Sequence, residues 1–592
     1  MTTATPDSAA DVHPGSAPGV DEKILADRQL LIDARRRGKG SLLGAFVKLS
    51  GPGWLQAAIT LGGGSLAGSL YLGVLSGYSM LWLQPLAMLL GVIMLSAIGY
   101  VTLSTGQRPF RAINEHVNPV LGWGWAIATM MANMVWAMPQ FALGTAAMQQ
   151  NLAPGSLGAM SDPGGKIVCI ALLFVVSYTI VWFYNSGSWG IKLFEIVLKI
   201  MVAIVVLCFF GVVFKLAGTL DWGAIGAGFI PSASLLWEPA PTWNALLAAS
   251  NQPQFWNDLI VSQQRDVMIT AAATAVGINM TFLLPYSMLR KGWDRQFRGL
   301  AIFDLATGLF IPFMIAITCV VIASASQFHT KPAPGLLGEA GPDGAVITAP
   351  AALQSAYQGQ LNARVTFELN QEANKLVTAQ EKSAFTAVRE ERQAQLLAEL
   401  PRGDRELAAM LVTRDSFDLA NALTPLTGKD FAHYIFGIGV IGMAISTIII
   451  LMLINGFVIC EMLGFPQGGT VHRLGCALAG VSGALGPFVF TGAAKFWLAV
   501  PTSVFGMALL PIAYITFFAM MNNRKLMGEF MPRGGKRVLW NTLMLIAIAL
   551  ALLGSIYSVW SKTGIYGAIA VGVFVALALA VEVVRRQGAR AA

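Results

Sequence analysis

Residues 51–73 read GPGWLQAAITLGGGSLAGSLYLG, a stretch without a charged side chain that is long enough to cross a membrane. Its centre holds four small residues in a row, Gly62, Gly63, Gly64 and Ser65. Each glycine costs a helix about 1 kcal/mol relative to alanine, so the helix is predicted to open here. Open backbone in lipid must be surrounded by protein or a water-filled cavity, and secondary transporters build substrate sites from such broken helices. We interpret these residues as half of a substrate-binding site; close packing of small residues against another helix is the alternative.

The composition of the whole chain indicates an all-α polytopic membrane protein. The 592 residues are 55% hydrophobic and 12% charged, with a mean hydropathy of +0.63. The net charge of +8 is explained by basic cytoplasmic loops, so no nucleic-acid partner is expected; the expected surroundings are a lipid bilayer. All five cysteines lie in apolar runs without metal-ligand spacing, so neither a disulfide framework nor a metal site is predicted.

Hydropathy predicts about twelve membrane-spanning helices. They lie near residues 51–74, 81–104, 120–149, 167–184, 190–216, 268–290, 299–327, 431–462, 473–491, 496–521, 538–560 and 563–584. Arginine and lysine gather after the even-numbered helices, for example in residues 290–298 and 524–537. Both termini are therefore predicted to be cytoplasmic, in a multi-pass protein of the cell (inner) membrane.

The same pattern divides the chain into seven regions. They are a cytoplasmic tail with a surface helix (1–50), a first repeat (51–216), an outer loop rich in tryptophan and proline (217–267), helices six and seven (268–327), an extracytoplasmic insertion (328–430), helices eight to ten (431–521), and the last two helices with the C-terminal tail (522–592). Tryptophans of the outer loop are expected at the membrane interface; a lid over an outer vestibule is the alternative.

The insertion at 328–430 differs from the rest of the chain because it holds 13 acidic and 10 basic residues. Leu353–Leu400 has the pattern of an amphipathic helix, and Pro401–Gly403 stops it. Asp404 is a candidate cap of a second helix, so a helical hairpin outside the membrane is predicted. Its charges are explained by a solvated face, and a protein partner is possible.

A second interrupted helix is predicted at residues 268–290, the sixth in order. Gly277, Asn279, Thr281 and Pro285 interrupt an apolar run there. Glycine weakens the helix and proline removes a backbone donor, while the amide and hydroxyl offer oxygens beside the freed backbone. A proline-kinked helix is the alternative. Interruptions five helices apart match a five-plus-five inverted repeat, and the second half of the binding site is therefore placed at Asn279 and Thr281.

Three stretches resemble the Nramp family of divalent metal transporters. They are GPGW at Gly51–Trp54, FGIGVIGMAISTIII at Phe436–Ile450 and NNRKLMGEF at Asn522–Phe530. The resemblance implies a LeuT-type fold with a five-plus-five inverted repeat, and a secondary transporter that works by alternating access.

The chain departs from the family pattern at the metal site. The resemblance places the family's metal-binding aspartate at Gly62 and its asparagine at Ser65, and its Met-Pro-His near Thr281–Leu283. Residues 117–161, which include the third helix, contain no carboxylate for proton transfer. No metal ligand is carried over, and a metal cargo is expected to be hydrated and Mg²⁺-like rather than Mn²⁺ or Fe²⁺. A small organic anion or amino acid, bound at the helix end that begins near Ser65, and a non-transporting sensor are the alternatives.

A few charged and polar residues lie within the predicted helices. Asp304 is a candidate coupling residue, although pairing with Arg298 or Arg295 is the alternative. Three charged side chains of the fifth helix are expected to neutralise one another, namely Lys192, Glu195 and Lys199. Three amides are expected to form hydrogen bonds between helices, namely Asn133, Gln140 and Asn455. Neither a nucleophile–base pair nor a phosphate loop is recognisable, so no enzyme, catalytic residue or cofactor is expected.

Overall fold

The computed structural model describes residues 20–184, 188–340, 344, 346–414, 416–428, 431–489 and 499–591. The architecture is all-α. Within these residues nine helices are long and apolar enough to cross a membrane, and a bent pair at 52–76 makes a tenth span. The prediction of a polytopic helical membrane protein is confirmed.

Two helices precede the first span, α1 (Val20–Arg37) and α2 (Lys39–Leu49). The polar face of α1 lies against the loop that follows the sixth span. Arg28 forms an ion pair with Asp294 at 2.7 Å, and Arg35 donates to the side chain of Gln296 at 2.6 Å. The surface helix predicted for the region 1–50 is therefore two helices; residues 1–19 of the predicted tail lie outside the described residues.

The first repeat runs from α3 to α9. Its helices are α3 (Pro52–Thr60), α4 (Gly63–Ser76), α5 (Leu83–Thr105), α6 (Pro109–His116), α7 (Pro119–Ala146), α8 (Gly164–Tyr184) and α9 (Ser188–Leu216). Together α3 and α4 make one broken span, and α6 is a short connection between α5 and α7.

The second half repeats the broken-span arrangement. Its helices are α10 (Pro253–Ala275), α11 (Ile278–Arg290), α12 (Arg298–Asp304), α13 (Ile311–Phe328), four insertion helices, namely α14 (Ala351–Asn374), α15 (Ala379–Glu399), α16 (Arg402–Met410) and α17 (Ser416–Thr427), then α18 (Phe436–Leu463), α19 (Thr470–Ala484), α20 (Ala499–Met521) and α21 (Gly534–Ala591). A π-helical turn, Leu305–Phe310, joins α12 to α13. Most residues of α18 are buried, which makes it the central helix of the bundle.

Two segments account for the difference between ten spans and the predicted twelve. Gly564 in α21 has φ +56° and ψ −136°, which interrupts the helix and leaves a long apolar segment on each side. The predicted ninth span corresponds to α19, which has 15 residues and is followed by a short helix at Gly486–Val489. Residues 490–498 lie outside the described residues.

The predicted boundary at 267/268 is wrong, because α10 already begins at Pro253 and runs through it. Only residues 217–252 form this loop, and its tryptophans differ in environment. Trp222 is 54% exposed, whereas Trp243 is fully buried and donates its Nε1 hydrogen to Leu75 O at 2.7 Å. A single interfacial role for these tryptophans was therefore too simple.

The insertion contains a helical hairpin, as predicted, but the turn lies elsewhere. The hairpin is α14 and α15, and Thr378 caps α15 with a reciprocal bond to Glu381. Asp404 is not a cap. It lies inside α16 with 0% exposure, where its carboxylate accepts from Arg364 Nε at 2.9 Å and Trp256 Nε1 at 2.6 Å. This carboxylate ties the hairpin and α16 to the start of α10.

Candidate functional site

The first span is interrupted where the glycine run begins. Helix α3 ends at Thr60, α4 begins at Gly63, and their axes bend by 54°. Between them Leu61 and Gly62 are not helical, and Gly62 is extended. Ser65 Oγ reaches back over the break and donates to Thr60 O at 2.5 Å. The predicted opening of the first span is therefore present, and it begins one residue before Gly62.

Neighbouring helices satisfy the backbone groups that the break frees. From α18, Ser446 and Thr447 donate to Ala58 O at 3.0 and 3.3 Å. From α7, the Oε1 of Gln140 accepts from Gly63 N at 2.7 Å. Side chains of other helices thus replace the lost helical bonds, as the apolar surroundings require.

The second interruption lies opposite the first. Helix α10 ends at Ala275, α11 begins at Ile278, and Val276 between them is extended with φ −141° and ψ 103°. Gly277 precedes the first turn of α11. Pro285, which the sequence also suggested as a breaker, lies inside α11 without ending it. The simple proline kink is therefore wrong as an account of this span.

The two polar residues predicted for the second half of the site have different roles. Asn279 accepts from Met280 N at 2.8 Å, while its buried Nδ2 has no hydrogen-bond partner among the described residues. Thr281 donates to Ile278 O at 2.5 Å and accepts from Trp125 Nε1 at 2.9 Å. Asn279 therefore keeps an unused donor, whereas the hydroxyl of Thr281 is occupied.

The two breaks meet at one hydroxyl. Thr60 Oγ1 lies 3.4 Å from Ala275 O and 3.2 Å from Met280 Sδ. Beside this contact is a cavity of about 40 Å³, room for roughly three water-sized bodies. It is lined by Ile59, Thr60, Gly62, Gly64, Ser65, Trp136, Pro139, Gln140, Ala273, Thr274, Gly277, Asn279, Met280, Thr447, Leu451, Thr502 and Ser503.

Four of the six predicted binding residues line this cavity, namely Gly62, Gly64, Ser65 and Asn279. The other two, Gly63 and Thr281, lie next to lining residues but are not part of the lining. Gly63 forms a hydrogen bond with Gln140, and Thr281 forms one with Trp125. Both residues therefore support the structure around the cavity.

Three of the lining residues that were not assigned to the site from the sequence bear on its chemistry. Gln140 was expected only to bond between helices; it does so, and it also lines the cavity. Met280 brings a thioether to the cavity, although the family pattern carried no metal ligand over to this stretch. Trp136 covers the second break, and a methyl group on Gly277 would lie 2.5 Å from its ring. A signal for Met280 was available, since it stands between Asn279 and Thr281.

The electrostatic character of the cavity is neutral. Its lining offers hydroxyls, backbone groups, one amide pair and one thioether, and none of its residues is acidic, basic or histidine. Over the described part of the chain, no group of three or more His, Cys, Asp or Glu side chains is arranged to hold a metal. A cation bound here would receive dipoles but no compensating charge.

Asp304 lies outside the cavity, at the start of α3. It is 1% exposed and accepts from Gly51 N at 2.9 Å, from Gly53 N at 2.5 Å and from the Ser50 hydroxyl. Neither arginine of the alternative pairs with Asp304, because Arg298 donates to Ser104 Oγ and the Arg295 guanidinium lies over the Phe530 ring at 5.6 Å. A carboxylate from α12 thus binds the free N–H groups at the positive end of a half-helix.

The charged residues of α9 do not neutralise one another, contrary to the prediction. Glu195 pairs with Lys291 at 2.7 Å, and Lys199 donates to Ser50 O at 3.2 Å. Lys192, on the same face of the bundle, is exposed. The lysines of α9 therefore face the beginning of α3, and so does the end of α11.

Comparison with known proteins gives a family match over most of the chain. Residues 53–340 and 407–561 match the model of the Nramp family, described as natural resistance-associated macrophage protein-like. No curated protein sequence matches.

The fold is similar to crystal structures of the Eremococcus coleocola manganese transporter. A histidine-to-alanine mutant of that protein aligns with a TM-score of 0.56 at 11% identity, over 92% of this chain and 96% of the other. Its complex with an aromatic bis-isothiourea compound aligns with a TM-score of 0.51 at 13% identity, over 93% and 97%. At such identities the likeness establishes the fold, and it confirms the predicted LeuT-type architecture.

Proposed function

This chain belongs to the Nramp family of membrane transporters, and we propose that it carries a hydrated divalent metal cation through the two facing helix breaks by alternating access. Family membership makes the protein a transporter and not an enzyme. The observation that carries the finer proposal is the cavity at the breaks, which offers only neutral donors.

The neutral lining supports Mg²⁺ with its water over dehydrated Mn²⁺ or Fe²⁺. Transition metals bind sites with imidazole, thiolate or carboxylate ligands, and here Met280 Sδ is the one soft donor in the lining, already accepting the Thr60 hydroxyl at 3.2 Å. Removing all water from a dication without a counter-charge is very unfavourable. Mg²⁺ gives up its water reluctantly, so a site of hydroxyls and carbonyls suits the hydrated ion.

Alternating access is supported by the size of the cavity. The cavity is small, about 40 Å³, and lies between the two breaks, with lining residues from both half-spans. In this proposal the half-helices separate to admit the cargo, and the non-helical residues Leu61, Gly62 and Val276 provide the hinges. Asp304 enters this proposal as the group that positions α3, since its carboxylate holds the two N–H groups at the base of that half-helix.

We propose an orientation with both termini cytoplasmic in the inner membrane, so that the insertion at 328–430 is extracytoplasmic. The support is the gathering of arginine and lysine in alternate loops. Accessibility of single cysteines introduced at position 387 in α15 and position 525 to a membrane-impermeant thiol reagent tests this; labelling of both positions from one side would contradict it.

Flux measurements test the cargo. Purified protein in proteoliposomes should take up Mg²⁺ in the presence of a membrane potential, and Mn²⁺ should compete weakly. Tighter competition by Mn²⁺ than by Mg²⁺ would contradict the hydrated-ion proposal, and flat traces for every divalent cation would contradict metal transport altogether.

A variant at the first break tests whether the transported ion passes through it. In Gly62→Ala the new methyl would meet Thr447 Oγ1 at 2.5 Å, so the break must shift and flux should fall about tenfold or more. Gly572→Ala is the matched control, since its methyl meets nothing within 4 Å. Equal flux in the two variants would place the path elsewhere.

One observation favours a second candidate, transport of a small anion. The first turns of α4 and α11 both border the cavity, and the Nδ2 of Asn279 is a buried donor without a partner among the described residues. Helix N-termini attract negative charge. The sign of the current distinguishes the two: uptake of a cation carries positive charge inwards, whereas an anion such as formate would carry the opposite charge.

A further inference from the structure

A second, larger cavity lies at the base of the broken first span, on the face that also holds α1. Its volume is about 330 Å³, and it is bounded by α1, the end of α2, the start of α3, α9 and the end of α11. It is separate from the cavity at the helix breaks, since the two have no lining residue in common.

The lining of this cavity is strongly basic. Six basic side chains face two acidic ones, Asp27 and Glu195, which leaves a formal excess of four positive charges. The basic side chains are Lys23, Lys48, Lys192, Lys199, Arg290 and Lys291. Like charges gathered around one space repel one another, and a multiply charged anion would relieve that repulsion.

Three of these groups are held in place at the inner wall. Lys199 donates to Ser50 O at 3.2 Å, and Lys291 pairs with Glu195 at 2.7 Å. Arg290 donates to Tyr184 O at 2.8 Å, and its guanidinium lies over the Tyr184 ring at 4.3 Å. The donors are therefore positioned before any ligand arrives, which lowers the ordering entropy of binding.

Lys23, Lys48 and Lys192 complete the lining from three different elements and are exposed. Their flexible side chains can close over an anion that enters. The helices α1, α2 and α9 thus direct ammonium groups into one space.

We infer that this cavity binds a phosphate group. The oxygen atoms of a phosphate group suit a mixture of one guanidinium and several ammonium donors. Basic pockets between transmembrane helices bind the headgroups of anionic lipids. The exposed face of α9 also supports a lipid ligand, because Trp189 and Ile196 are 66% and 53% exposed, as lipid-facing residues are. The shared chemistry is the phosphate, whether on a phospholipid or on a soluble compound.

The position of the cavity connects it to the broken span. Lys199 holds Ser50 O, and the Lys291–Glu195 pair packs directly against Gly51. A phosphate bound by Lys199 and Lys291 would therefore contact the groups that fix the base of α3. The inference does not depend on the identity of the cargo, because it is tested by binding alone.

Binding to the full-length purified protein separates the two sources. One arm measures the increase in thermal stability and the affinity by native mass spectrometry with phosphatidylglycerol, using phosphatidylcholine as the zwitterionic reference. The other arm titrates inorganic pyrophosphate in neutral detergent. We expect phosphatidylglycerol to bind; binding of pyrophosphate instead supports a soluble phosphate ligand, and binding of neither overturns the inference.

Paired charge variants locate the site. Lys192→Gln with Lys199→Gln should weaken phosphatidylglycerol binding about thirtyfold, at about tenfold per 1.4 kcal/mol and about 1 kcal/mol per basic residue. Arg524→Gln with Lys525→Gln removes the same charge from a loop outside the cavity and should leave the affinity within about twofold. Equal loss in both double variants would mean non-specific attraction and overturn the inference. A cooperative thermal unfolding transition, measured without ligand, shows that each variant is folded.

Discussion

At the scale of single residues, Arg364 and Asp404 show how a buried charge is matched to specific partners. Arg364 and Asp404 have side-chain exposures of 1% and 0% and form an ion pair at 2.9 Å. Ser250 and Trp256 supply further hydrogen bonds to the same carboxylate. Desolvating two charges is unfavourable, and such pairs persist only where additional donors satisfy the remaining lone pairs.

The change Arg364→Ala should destabilise the insertion strongly. It leaves the buried carboxylate of Asp404 without its counter-charge, for which about 3–5 kcal/mol is expected. Thermal or denaturant unfolding measures this, with Arg402→Ala as the control, because that side chain is 89% exposed and its ion pair contributes at most about 1 kcal/mol. Similar losses in both variants would show that the buried pair is not stabilising.

Asp304 is predicted to act on the position of α3. Asp304→Ala removes the acceptor of Gly51 N and Gly53 N, and each buried donor left unsatisfied costs about 1–3 kcal/mol. Asp304→Asn keeps an acceptor oxygen and should lose less. Stability and flux measured together test this: if Asp304→Asn keeps full stability but loses flux, the charge itself matters for transport.

His329 should make stability depend on pH. Burial lowers the pKa of this imidazole below its ordinary value of 6.5, and the hydrogen bond to Val74 O opposes that effect. Because the folded-state pKa is the lower one, stability is full above about pH 6.5 and declines as pH falls below it, by at most about 1.4 kcal/mol per pH unit.

Unfolding followed between about pH 7.5 and 5 should show this decline, and His329→Gln should make it shallower. An unchanged slope in His329→Gln would contradict the role of burial at His329.

At the scale of elements, the two broken spans are made in different ways. In the first, a run of glycines ends α3, and the freed backbone is satisfied by α7 and α18. In the second, a single Gly277 follows the extended Val276 and is covered by Trp136. Both breaks could be predicted from local helix propensity, whereas the packing of Trp136 over the second could not.

The hairpin of α14 and α15 is predicted to be dispensable for transport. Its outer part is held by pairs such as Arg392–Glu372 at 2.9 Å, whereas the docking residues Arg364 and Asp404 lie at its base. Replacing residues 368–392 by a short Gly/Ser linker should keep fold and flux. Loss of flux in this variant would instead implicate the hairpin in gating.

At the scale of the whole molecule, the charges are separated by function. The cavity at the breaks is lined by neutral groups, and the cavity at the base of α3 has a formal excess of four positive charges. Asp304 and Lys199 hold the start of α3 from α12 and α9. The half-helix α3 is therefore held at its start by charged groups, and its end borders the cavity at the breaks.

The sequence alone determined the membrane-spanning character and the opening of the first span, because hydropathy and glycine content act over a few consecutive residues. The family was indicated by the resemblance of three short stretches. The sequence also determined four lining residues of the cavity. The tertiary structure decided what those residues face: Met280 and Gln140 enter the site, Thr281 turns to Trp125, and Asp304 caps α3. Such contacts join residues that are far apart in the chain, and only the packing of helices fixes which polar groups are left free and which satisfy one another.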